Sequence, residues 1–172
     1  MEDKLDLVSQ LTREERILQT HSLNCISPDD GKYSKSSRKL QPYLSAAAEW
    51  MACVLVQEAL LETRVEFGQA EKERLDEVKA AFEFVSPLNM ALLEEKVTRH
   101  DQLAVLEEIG RYVRPETKAL LHPGTTSYDI LDTARSYLVK KAWREEIRPT
   151  ISKAIDKLCG VAENSLDILQ VG

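Results

Sequence analysis

The stretch Pro123-Gly124-Thr125-Thr126-Ser127-Tyr128-Asp129 holds the most informative chemistry in the chain. Pro123-Gly124 forces a turn. Thr126 followed three residues later by Asp129 is a near relative of the capping box, just ahead of residues that are apolar at helical spacing. The hydroxyls of Thr126 and Ser127, and the first free backbone N–H groups, therefore point out of the start of a helix. Unsatisfied donors and the helix dipole make such a terminus an anion site, suited to a carboxylate or a phosphate. Spacing alone also admits a plain helix cap, and most caps hold no ligand. Thr98-Arg99-His100-Asp101 comes second. It offers a fixed cation, an imidazole able to donate or accept a proton near neutral pH, and a carboxylate to orient that imidazole. Its plain alternative is a polar helix end with an exposed ion pair, worth about 0–1 kcal/mol. Asp30-Gly31-Lys32-Tyr33, read as a turn, would bring a Lys and a Tyr hydroxyl to a phosphate, or else form a solvated loop.

Other chemistry-bearing residues point to less. His21 and His122 have no metal-ligand partners at useful spacing, so no metal is expected. Glu62 to Glu77 and Glu94-Glu95 read as solvated helix faces, and Trp50 and Trp143 as packing residues. There is no P-loop and no GxGxxG, and no Ser-His-Asp triad is readable from spacing. Cys25, Cys53 and Cys159 are odd in number, far apart and without a CxxC. That pattern fits reduced thiols in a cytosolic protein, not a disulfide framework or a zinc site.

The elements that must position these residues are helical. Met1 to Thr20 reads as a peripheral amphipathic helix with Leu7, Leu11, Ile17 and Leu18 on its thin apolar face. Asn24 to Tyr33 carries strong turn signals. One long helix is expected from Pro42 to Phe67, apolar around most of its circumference and stopped by Gly68. Glu71 to Phe84 is a further helix, and Ser86-Pro87 starts another. The apolar period lapses at Val97 to Asp101, which predicts a helix junction there. A short helical stretch follows Pro115. From Ser127 to about Leu169 the pattern predicts a very long helix. Its second half carries a bundle-type stripe of Ile147, Ile151, Ile155, Leu158, Ala162, Leu166 and Leu169, with a kink or restart at Pro149.

Composition agrees. In 172 residues, Gly and Pro number only 6 each, where strands joined by tight turns would need more. A hydrophobic share of 43% supports a core, and a net charge of −6 argues against a nucleic-acid coat. The acidic start lacks the apolar run of a signal peptide. The most apolar stretch, Ala52 to Leu61, is interrupted by Gln57 and Glu58 and is too short to span a bilayer. The expectation is an all-α chain of cytoplasmic character, with no nucleic-acid or membrane partner.

Taken in order, Ser-Pro-Asp-Asp-Gly-Lys-Tyr, Thr-Arg-His-Asp and Gly-Thr-Thr-Ser-Tyr-Asp-Ile-Leu-Asp-Thr-Ala resemble the N-terminal part of the adenylosuccinate lyase family, within the fumarase/aspartase superfamily. The resemblance runs from about Ile26 to the end of the chain. It implies residues 1–25 as an N-terminal helical extension, 26–125 as the N-terminal helical domain, and 126–172 as the start of a central helical bundle. Lys32-Tyr33 stands where the family usually has the Arg-Tyr that contacts the nucleotide phosphate, so the charge is kept but not the bidentate fork of Arg. Arg99-His100-Asp101 matches the segment whose His hydrogen-bonds substrate. Thr126-Ser127 matches the pair that binds a carboxylate of the succinyl group, with Thr125 where Ala is usual. The implied reaction is a β-elimination that splits adenylosuccinate into AMP and fumarate, and cleaves the succinylated imidazole-carboxamide ribotide likewise, in purine biosynthesis. No metal or organic cofactor is implied. Family sites are assembled from three subunits of a homotetramer.

The family's general-acid His lies in a Thr-His motif after a Val-Gly-Arg-type sequence, and its base Ser lies on a mobile loop further on. Neither stands in this sequence, which ends at Val171-Gly172. The expectation is an N-terminal portion of such a lyase, inactive alone. Two rivals remain. One is a carboxymuconate cycloisomerase-like member of the superfamily, with a similar Thr-Ser-x-Asp pattern. The other is a non-catalytic helical interaction domain using the stripe from Ile151 to Leu169.

Overall fold

The computed structural model describes residues 5–27 and 30–169. Among the described residues every regular element is helical: α1 (Arg13–Asn24), α2 (Asp30–Ser37), α3 (Gln41–Leu44), α4 (Ala46–Glu66), α5 (Lys72–Ala81), α6 (Pro87–Leu93), α7 (Asp101–Gly110), α8 (Pro115–Lys118), α9 (Ser127–Ala142) and α10 (Arg148–Asn164). Turns of π-helix join α6 to α7 at Glu94–Thr98 and α9 to α10 at Trp143–Ile147, and a short 3-10 turn covers Val8–Gln10. None of these helices is long and apolar enough to cross a membrane.

Helix α4 is the central post. Ala52, Cys53, Val54 and Leu61 on it are buried, as are Ile130, Leu131, Ala134 and Leu138 on α9 and Val105 and Ile109 on α7, all in one cluster. The apolar residues of α9 recur at three- and four-residue steps, which puts them on one face against α4. Leu7, Leu88, Leu92, Leu93 and Ala104 form a second, smaller cluster, and Trp50 packs against both. Trp143, expected to pack, stays about half exposed at 49%.

Three expected elements differ. The predicted helix over Met1 to Thr20 begins at Arg13, because Thr12 accepts the Glu15 N–H at 3.2 Å and Glu15 takes the Thr12 N–H at 2.9 Å. Leu7 is buried ahead of that helix, whereas Ile17 and Leu18 face solvent. Residues 1–4 of that expectation lie outside the described residues. Second, Asp30-Gly31-Lys32-Tyr33 is the first turn of α2 and not an open turn. The buried Asp30 carboxylate accepts the Ile26 N–H at 2.8 Å and the Ser37 hydroxyl at 3.0 Å, tying both ends of α2 together. Pro28 and Asp29 lie outside the described residues. Third, the long helix expected from Pro42 is broken at Ser45, whose extended backbone ends α3 and whose hydroxyl caps α4 by accepting the Ala48 N–H at 3.2 Å.

The helix expected to run to about Leu169 ends at Asn164, so Leu166 and Leu169 of the expected stripe lie beyond it, and the other junctions follow the sequence signals. Gly68 adopts φ +68° after α4, and Gln69 N–H reaches back to the Arg64 carbonyl at 2.8 Å. Ser86 caps α6 with Pro87 in the first turn. Pro149 has no N–H to give, and the turn before it widens so that Arg148 N–H bonds Trp143 O. Helix α10 has no buried residue, and Ile151, Ile155, Leu158 and Val161 are exposed along it.

The Glu62–Glu77 stretch is more than a solvated face. Glu77 accepts Arg114 Nε at 2.5 Å, the Arg114 backbone N–H at 3.1 Å and the Thr117 hydroxyl at 2.7 Å, which joins α5 to α8. The Arg114 guanidinium, seconded by Thr117, holds the Glu77 carboxyl at about 2, below the ordinary 4.5. A carboxyl depressed in the folded state stabilises fully above its unfolded value and loses that contribution as pH falls toward the folded one. Between pH 4.5 and pH 2 the melting temperature of the wild-type chain should therefore fall more steeply than that of Glu77→Gln; matching slopes would refute this role. Separately, Ser45→Ala should cost about 1 kcal/mol in chemical denaturation through loss of the α4 cap.

Candidate functional site

The approach to the site starts at the α6–α7 junction. The π turn Glu94–Thr98 closes with Arg99 N–H on the Glu94 carbonyl at 3.0 Å, and Arg99 is left-handed at φ +53°. A non-glycine residue there costs roughly 1–2 kcal/mol, so the turn needs compensation. Thr98 supplies it: its hydroxyl donates to the His100 carbonyl at 2.8 Å and accepts the His100 N–H at 3.3 Å. π turns often mark functional positions, and this one sets His100 at the start of α7.

His100 is the N-cap of α7, where its Nδ1 accepts the Leu103 N–H at 3.4 Å. Asp101 Oδ1 lies 3.2 Å from the same nitrogen and also accepts the Gln102 N–H at 2.6 Å. The other ring nitrogen, Nε2, is 3.1 Å from Ser127 Oγ at the start of α9. Asp101 can accept a proton held on Nδ1, and Ser127 Oγ can accept one held on Nε2, so both ring nitrogens have a partner.

The start of α9 completes the group. Gly124 turns the chain at φ +75°, and Asp129 takes the Thr126 N–H at 2.8 Å. The hydroxyl of Ser127 thus stands at a helix terminus, beside an imidazole carried by another helix terminus. A hydroxyl and an imidazole nitrogen, both able to donate a hydrogen bond, stand together between two helix starts. His100 is 45% exposed at its side chain, so this face is open.

Of the residues singled out in the sequence, His100, Asp101 and Ser127 are brought together across 27 residues of chain. Thr126 sits at the same helix start, and Arg99 is exposed on the adjoining turn. Lys32 and Tyr33 are both exposed on α2, with Lys32 Nζ 5.0 Å from the Tyr33 ring centroid. No hydrogen bond or ion pair among the described residues joins that pair to His100 or Ser127. Thr98 was missed as a positioning residue, although a Thr two residues ahead of the His was its signal. His122, also left-handed at φ +70°, meets Gln57 Nε2 at 3.1 Å through Nδ1 and is tied to the core side of α4. Cys53 is buried, and burial pushes its thiol up to about 11, so it stays protonated and packs. Among the described residues no group of His, Cys, Asp and Glu is placed to hold a metal ion.

Over 119 residues the chain is 32% identical to the adenylosuccinate lyase of Methanocaldococcus jannaschii, a span covering 68% of this chain and 25% of that protein. Over 167 residues it is 28% identical to the adenylosuccinate lyase of Legionella pneumophila, covering 86% of this chain and 35% of that one. A shorter span of 78 residues is 36% identical to the adenylosuccinate lyase of Staphylococcus saprophyticus, covering 45% and 18%. No family model matches the chain, and no solved structure matches it. The aligned spans take in a quarter to about a third of the first two relatives, and the chain is similar to these lyases over that part.

Proposed function

We propose that this chain belongs with the adenylosuccinate lyases and contributes the carboxylate- and imidazole-bearing part of their active site. One observation carries the reading: the two motifs behind the resemblance, 27 residues apart, place Ser127 Oγ and His100 Nε2 at 3.1 Å. In this reading Thr126 and Ser127 hold a carboxylate of the succinyl group, where preorganised donors stabilise charge that develops as the proton beside it leaves. His100, oriented by Asp101 and Ser127, hydrogen-bonds the substrate, and Arg99 adds a cation at the rim. Lys32 and Tyr33 take the nucleotide phosphate, which anchors the substrate. The reaction is the β-elimination of fumarate from adenylosuccinate, or from the succinylated imidazole-carboxamide ribotide, without a cofactor.

Such an elimination also needs an acid and a base on opposite faces. His21, at the end of α1 beside Cys25, and His122, on Gln57, are the other imidazoles of this sequence and are engaged elsewhere. By the resemblance, the family's acid and base are not among the residues matched here, and in this reading the polypeptide alone does not turn over. The exposed Ile151, Ile155 and Leu158 of α10 suit burial against partner helices, which supports assembly into a homo-oligomer. That same face supports the second reading, an interaction domain without a substrate. The curated relatives favour the purine enzyme over a cycloisomerase.

Calorimetric titration of the purified chain separates these readings. Adenylosuccinate should bind and release no fumarate. Ser127→Ala should weaken binding about tenfold or more, as expected for a lost hydrogen bond to a charged group worth about 1.5–3 kcal/mol. Binding that ignores Ser127→Ala, or no binding at all, would contradict the proposal, and fumarate release by the chain alone would contradict the assignment of acid and base.

A further inference from the structure

Hydrogen bonds fasten helix α1 to the rest of the fold only through the chain at its two ends. Ahead of it the Leu7 N–H is held by Asn89 Oδ1 at 2.8 Å, and after it the Ile26 N–H is held by the Asp30 carboxylate at 2.8 Å. No residue of α1 is buried. Its side chains bond close by in the chain: Arg16 Nη2 to the Val8 carbonyl at 3.0 Å, Ser22 to the Leu18 carbonyl at 3.1 Å and Asn24 to the Thr20 carbonyl at 2.8 Å. Among the described residues no hydrogen bond or ion pair crosses from α1 to another helix.

Between α1 and the turn that joins α2 to α3 lies a cavity of about 550 Å³. Its polar walls are Arg16, Thr20, His21 and Asn24 of α1, Arg38 of the turn and Gln41 of α3. Each of these side chains can donate a hydrogen bond, and no Asp or Glu among the described residues lines the space. The Arg38 guanidinium has no hydrogen bond or ion pair among the described residues. In a chain of net charge −6, two fixed cations sharing a cavity without a carboxylate favour an anion there. An anion between Arg16 and Arg38 would also supply the cross-helix tie that α1 lacks. A guanidinium fork takes two phosphate oxygens at once, so two of them on different elements suit two phosphoryl groups. The space exceeds what one atomic ion or one water needs, a water taking about 30 Å³ of liquid volume.

We propose that this cavity binds a diphosphate group, free or carried on a nucleoside, and that the bound anion pins α1 to the α2–α3 turn. Arg16 and Arg38 each take one phosphoryl group, and Thr20 and Gln41 donate to the remaining oxygens. Lys32, Tyr33, His100 and Ser127 do not line the cavity, so the proposal stands whatever substrate those residues take.

The test is calorimetric titration of the 172-residue chain with sodium pyrophosphate at pH 7 and fixed ionic strength, with amide hydrogen exchange followed on the same samples. The expected result is saturable binding of one equivalent and slower exchange of the α1 amides once the site is filled. Binding should weaken about tenfold or more in Arg38→Gln and in Arg16→Gln, as for a lost charge-assisted bond. Arg38 ties nothing together through its guanidinium, so Arg38→Gln should melt at the wild-type temperature and a loss of binding there is not a loss of fold. ADP binding as tightly as pyrophosphate makes the ligand a nucleoside diphosphate, and ADP that fails to bind makes it the free anion; either result upholds the diphosphate site. Lys39 is exposed on the same segment but outside the cavity. Equal weakening in Lys39→Gln would reduce the site to a diffuse cationic surface and overturn the proposal. No saturable binding, equal competition by sodium chloride, binding unchanged in both arginine variants, or binding that leaves α1 exchange unmoved would overturn it too.

Discussion

Glu108 is fully buried, and a buried carboxylate must be paired and hydrogen-bonded or the fold will not keep it. It accepts the Ser86 N–H at 2.8 Å, Asn89 Nδ2 at 2.5 Å and Arg111 Nη1 at 2.9 Å. Asn89 in turn holds the N-terminal segment, taking the Leu7 N–H at 2.8 Å and donating to the Leu5 carbonyl at 2.8 Å. One charge thus fastens the start of α6, the end of α7 and the chain ahead of α1. Removing one partner of such a group costs about 3–5 kcal/mol, so α6 and α7 have little freedom to part. The π turn and the left-handed Arg99 between them are the geometry left over when both helices are pinned.

His100 inherits its position from that constraint on one side and from the α4–α9 packing on the other. The buried face of α9, from Ile130 to Ala142, registers the helix against α4, and Ser127 opens that helix. The 3.1 Å contact between Ser127 and His100 therefore joins two rigid supports and not two loops. Side chains held on two rigid supports have little freedom to reorganise.

Local signals in the sequence located several helix ends whose stabilising partner lay within a few residues. Thr126 with Asp129, Ser86 with Pro87, Gly68 after α4 and Pro149 in the first turn of α10 are all of that kind. Asp30 misled because Pro-Asp-Asp-Gly serves a turn and a helix start alike, and the burial of its carboxylate under Ser37 is a tertiary fact. Ser45 was overlooked because apolar residues continue on both sides of it. Thr12 and Glu15 formed a readable capping box, but Leu7 and Leu11 drew the expected helix toward the N-terminus. Glu108 looked like any acidic residue on a helix, and the cavity walls, drawn from residues 16 to 41, share no motif. The motifs named the site's members, while the distances among them depended on contacts between residues far apart in sequence.

The central claim is that Ser127 and His100 together present a carboxylate site. The most direct measurement is an amide and imidazole NMR titration of the chain with fumarate. Saturable shifts should concentrate on the amides of residues 126–129 and on the His100 ring, with His21 and His122 unmoved. Shifts that never saturate, or that spread over the chain without singling out His100 and Ser127, would contradict it.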